Sequence, residues 1–121
     1  MHKSISTLYG RRLNSAVLFL MTTDGAQNIV KSKDDNIYVA DVSAEIFDRK
    51  LGIILYEGES IEYINKRIKI LSKNYDYLCL MFFDSAHRAE LAKKIPVKCG
   101  MLCYGNLFGN GMVSILYRKW K

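Results

Sequence analysis

The residues with the most chemical potential in this chain are three carboxylates, Asp41, Glu57 and Glu59, on two consecutive strand-like segments. Between Tyr38 and Phe47, Asp41, Ser43 and Glu45 share one parity and Val42, Ala44 and Ile46 the other. Strand side chains alternate faces, so this segment reads as a strand with one polar and one apolar side. The next segment, from Leu51 to Tyr56, is almost wholly apolar, as a strand covered on both faces is. It runs into Glu57-Gly58-Glu59, two acids of equal parity. With Asp48-Arg49-Lys50 as the turn, the pair forms a hairpin that gathers acidic groups at neighbouring strand positions. Carboxylates gathered in this way are the donors a divalent cation needs for phosphodiester chemistry. The same acids also suit solvated strand ends, and Glu45, beside the turn, is assigned to solvent.

Other elements must hold this hairpin in place. Residues 4–21 carry Ile5, Leu8, Leu13, Val17, Leu18 and Leu20 at roughly helical spacing, with Ser4 or Ser6 as cap and Asp24-Gly25 as stop. A first strand is expected near Gln27 to Lys31. After the hairpin, Ser60 reads as a helix N-cap, followed by an apolar stripe of Ile61, Ile64, Ile68 and Leu71. Lys66, Arg67, Lys69 and Lys73 are assigned to the other faces of that helix. Tyr77 to Phe83 has the length and apolarity of a central strand. A short helix from Ala86 to Lys94 is closed by Pro96. Val97 to Tyr104 is the next strand, and Asn110-Gly111 signals a hairpin into Met112 to Tyr117. Strands joined by a hairpin and then by helical crossovers give an α/β fold, a mixed central sheet flanked by helices, as a single domain over 1–121.

The totals narrow the partners. Eighteen Lys+Arg against 12 Asp+Glu leave a net charge of +6 over 121 residues, which suits a polyanion such as nucleic acid. The apolar run Ala16 to Met21 is too short to cross a bilayer, so no membrane role is expected and the chain is read as cytoplasmic. The odd count of three cysteines, Cys79, Cys99 and Cys103, argues against a disulfide framework and for buried structural thiols. No phosphate loop and no esterase elbow is present.

From residue 37 to 117 the chain resembles the PD-(D/E)xK nuclease superfamily, with its restriction-endonuclease-like fold. The resemblance rests on Ala40-Asp41 early in one strand, Glu57-Gly58-Glu59 ending the next, then a basic helix and an apolar strand. The stretch Leu91-Ala-Lys-Lys-Ile-Pro-Val-Lys-Cys-Gly-Met-Leu102 is similar to the entry into the last core strand of such domains. The resemblance implies that Asp41 and Glu57 hold Mg²⁺ or Mn²⁺. The family lysine falls on Glu59, a departure, so Lys66 or Lys69 of the following helix would supply its charge, with Glu59 as a further candidate in the catalytic set. In a second register the second acid falls on Ile54, and no site exists.

Arg11, Arg12, Arg67, Lys73, Arg118 and Lys119 are the candidate contacts to nucleic acid. The expectation is a metal-dependent DNA endonuclease or resolvase-like phosphodiesterase. The alternative is a catalytically inactive module of the same fold that binds nucleic acid or a protein. A regulatory protein with no nucleic-acid contact is a third reading. A homodimer fits a domain too small to cover much of a duplex.

Overall fold

A computed structural model of the chain describes residues 7–32, 36–83, 86–96 and 98–103. The elements are α1 (Thr7–Met21), β1 (Ala26–Lys31), β2 (Val42–Ile46), β3 (Arg49–Leu55), α2 (Ile61–Leu71), β4 (Tyr77–Phe82), α3 (His87–Lys94) and β5 (Gly100–Cys103). The five strands form one sheet in the order β1-β2-β3-β4-β5. The first three are antiparallel neighbours, and β3, β4 and β5 run parallel. The expected α/β class with a mixed sheet therefore holds. The hairpin signal at Asn110-Gly111, the strand Met112 to Tyr117 and the basic tail lie outside the described residues.

The sheet separates two apolar layers. On one face Leu51, Ile53 and Leu55 of β3, with Cys79 and Met81 of β4, meet Ala16, Phe19 and Leu20 of α1. On the other, Ile54 with Leu78, Leu80 and Phe82 meets Ile64, Ile68 and Leu71 of α2 and Leu91 of α3. All six residues from Leu51 through Tyr56 and all six of β4 that line these faces are inaccessible or nearly so, which is why their sequences are continuous apolar runs with no polar alternation. Strand β2 alternates in burial as its sequence does, because only its Val42, Ala44 and Ile46 face has a layer above it.

Local chemistry sets the boundaries. Thr22 and Thr23 both donate their hydroxyls to the Phe19 carbonyl at the end of α1, and Gly25, at φ +83°, turns the chain into β1. A side chain could not replace that glycine easily, since a Cβ there would lie 2.9 Å from the Phe47 ring. Ser60 caps α2 as its type predicts, its hydroxyl accepting from the Tyr63 N–H at 3.2 Å.

The turn of the hairpin differs from expectation. Ile46 pairs with Arg49, so the turn is Phe47-Asp48, and Arg49 and Lys50 belong to β3. Both turn residues have positive φ, 51° and 64°, as a tight turn between twisted strands demands. The end of β3 also differs. The strand stops at Leu55, and the acids Glu57 and Glu59 lie beyond it, around Gly58 at φ +93°.

Candidate functional site: a charge cluster at the strand fork

Strands β2 and β3 part at Asp41. Their last paired residues are Val42 and Ile53, so the pairing stops short of Ala40, which this register would set across from Leu55. The Leu55 N–H therefore lacks a strand partner on the β2 side. The Asp41 side chain takes that place, its Oδ2 accepting from Leu55 N at 2.7 Å. A carboxylate thus completes the ladder where backbone has left it, in line with the near-universal pairing of buried N–H groups.

Two further donors converge on the same carboxylate, one from each layer. Tyr9 of α1 donates its hydroxyl to Oδ1 at 2.5 Å. Arg67 of α2 donates Nη1 to Oδ2 at 3.1 Å, and its Nη2 donates to the Val39 carbonyl at 2.9 Å. Asp41 is 2% exposed and Arg67 1%. Two opposite charges so deep in the protein are tolerable only because each answers the other and the remaining lone pairs are used. Burial drives the Tyr9 phenol well above its ordinary pKa, and the charge of Asp41 pushes it further the same way. Burial pulls the Arg67 guanidinium down, but the charge and hydrogen bond of Asp41 outweigh it, so the net shift is upward. One atom is left over: Arg67 Nε is buried and has no hydrogen-bond partner among the described residues.

Glu57 lies at the same end of the sheet, near enough for its charge also to raise the Tyr9 phenol. It has its own counter-ion, Arg12 of α1, at 3.6 Å, whose guanidinium also sits 4.5 Å from the centre of the Phe83 ring. Glu59 folds back so that its Oε1 accepts from the Glu57 N–H at 2.6 Å. The residue paired across from Asp41 by continuation of the register is Ile54, fully buried and apolar.

The candidate residues thus divide. Asp41, Glu57, Arg12 and Arg67 gather at the fork, joined by Tyr9. Arg67, assigned to an outer face of its helix, points inward and is closed to any nucleic acid. Lys66 and Lys69, proposed to lend charge to the acids, are exposed on the other side of α2, and Lys73 is exposed in the turn just past its end. Arg11 is exposed on α1. Arg118 and Lys119 lie outside the described residues.

Comparison with protein-family models, curated proteins and solved structures finds no match for this chain. The geometry stands alone, and it can be tested against the chemistry of a cation. Among the described residues no three His, Cys, Asp or Glu side chains come together in a way that could hold a metal ion. Asp41 directs its oxygens at three hydrogen-bond donors and is sealed from solvent, while the partner acids are engaged by Arg12 and by backbone. The donor set at the fork does not fit Mg²⁺ or Mn²⁺, because the position facing Asp41 already contains a guanidinium.

Sequence reasoning missed Tyr9 and misplaced Arg67. For Arg67 a signal existed: it falls at the i+3 place of Ile64, Arg67, Ile68 and Leu71, inside the apolar stripe. An arginine in that place calls for a buried acid, and Asp41 is the one found. Tyr9 lies 32 residues from Asp41, and nothing local announces the contact.

Proposed function

We propose that this chain is a non-catalytic member of the restriction-endonuclease-like fold that binds nucleic acid through its phosphates. The fold reading is supported by the succession β2, β3, α2, β4, with an aspartate at the start of the first strand, acids just past the second and a basic helix before an apolar strand. The loss of hydrolysis is supported chiefly by one observation: the Arg67 guanidinium lies against Asp41 where the resemblance would have a metal. The apolar Ile54 across the fork agrees with it, as does the absence of the family lysine at Glu59. The binding half of the proposal is supported by the net charge of +6 and by a surplus of exposed lysines on α2 and α3.

The test is a cleavage and binding assay on branched, single-stranded and duplex DNA. The expected outcome is no cleavage with Mg²⁺ or Mn²⁺, together with binding that persists in a chelator and weakens steeply with salt. Cleavage that needs metal and disappears in Asp41→Asn, with the variant shown to be folded, overturns the proposal in favour of a phosphodiesterase. Failure to bind any nucleic acid at low salt leaves the regulatory reading.

A further inference from the structure

We infer that the contact runs along the outer face of α2 and onto α3, away from the strand fork, and that it holds the phosphate backbone of duplex DNA without reading bases. This rests on the nucleic-acid reading above and specifies its surface and ligand. Lys66 and Lys69 are one turn apart on α2, and Lys73 follows in the turn just past its last residue, Leu71. All three are exposed, and none makes an ion pair among the described residues.

Helix α3 extends this group sideways. The Asn65 Nδ2 donates to the Lys94 carbonyl at 2.9 Å, which fixes the end of α3 beside the middle of α2. Lys93 and Lys94 are exposed there. Opposing charge is sparse: among the described residues of the two helices the acids are Glu62 and Glu90, and Glu90 faces Lys94 at 3.9 Å. Exposed acids gather elsewhere, with Asp24, Glu45 and Asp48 near the β2–β3 turn and the turn that follows α1.

The chemistry selects a duplex. Single strands are held largely by stacking bases on exposed aromatic rings. On the α2 side of the sheet, Tyr56 and Tyr75 are buried and Tyr63 packs against the core. Among the described residues the exposed large rings are Tyr38 and Phe47, which sit before β2 and on the hairpin turn. A group of exposed ammonium side chains with no exposed ring beside it among the described residues engages phosphates, and its affinity follows counter-ion release.

The experiment measures fluorescence anisotropy of the full chain on a duplex and on a single strand of equal length, across a salt series with chelator present. The expected result is tighter binding to the duplex. The triple variant Lys66→Ala/Lys69→Ala/Lys73→Ala should weaken it about tenfold or more and flatten the log–log salt slope by about 2.7, or roughly 0.9 per lost phosphate contact. Circular dichroism should be unchanged, since the three side chains are exposed. If the triple variant binds as the parent does while Arg11→Ala or Arg49→Ala/Lys50→Ala loses binding, the surface is wrong and the general proposal survives. A preference for single strands that depends on Tyr38 or Phe47 likewise overturns it. Absence of binding by the parent chain defeats both.

Discussion

Helix α2 presents two kinds of positive charge, one residue apart. Arg67 points into the protein and Lys66 to solvent, and the contrast shows how burial decides what a charge can do. Inside, the guanidinium must be neutralised by the fold itself: Asp41 and the Val39 carbonyl accept from its two Nη groups, and Tyr9 donates to the other oxygen of Asp41. Outside, water does that work, and the ammonium groups of Lys66, Lys69 and Lys73 are open to a polyanion. The acid singled out for chemistry thus has its oxygens engaged by internal donors, and Lys66 and Lys69, singled out as its helpers, lie on a different surface.

The contrast can be broken at its strongest point by Arg67→Met. It leaves the Asp41 charge buried and unpaired, and unfolding free energy should fall by about 3–5 kcal/mol in urea denaturation. Adding Asp41→Asn to Arg67→Met should cost clearly less than the sum of the two single changes, by about 1–3 kcal/mol, because the two side chains are one unit. Tyr9→Phe removes a hydrogen bond to a buried charge without changing the ring, and a loss of about 1.5–3 kcal/mol is expected. Equal stability of Tyr9→Phe and the parent would show that α1 is not tied to the fork.

Tyr9 also gives the contrast a pH signature. Its phenol titrates higher in the folded protein than its ordinary value of 10.0. Below that value both folded and unfolded chains hold the proton and this stabilisation is fully present. Above it the unfolded chain releases the proton first, so stability falls as pH rises. Urea midpoints at about pH 8 and about pH 11 should therefore differ more for the parent than for Tyr9→Phe. At the weak end, Lys66→Met and Lys69→Met should shift stability by no more than about 0.5 kcal/mol, since an exposed position away from any such network has little to lose. A large effect there would erase the distinction between the two faces.

Much of the scaffold was legible because burial writes itself into runs. The apolar β3 and β4, the alternation of β2 and the cap at Ser60 are all visible in residue order. The hairpin turn was not, since Phe47 continues the apolar rhythm and carries no Asn-Gly signal, yet the register forces it to a positive φ. The end of β3 was hidden for a related reason. Parity extends the strand through Glu59, but Gly58 breaks it and the Glu59 carboxylate caps the Glu57 amide instead. The fork was half legible. Asp41 and Glu57 were singled out and do lie at one end of the sheet, but their counter-ions come from α1 and α2, and only the completed fold brings those helices over it.

The Leu55 amide has an uncommon position: its acceptor is a side chain that both layers help to hold. Release of its proton to solvent requires Asp41 to swing free, and that in turn requires Tyr9 on one side and Arg67 on the other to let go. Hydrogen exchange at this one backbone site therefore reports on α1 and α2 together, so that loosening either helix registers as a single event in the middle of the molecule.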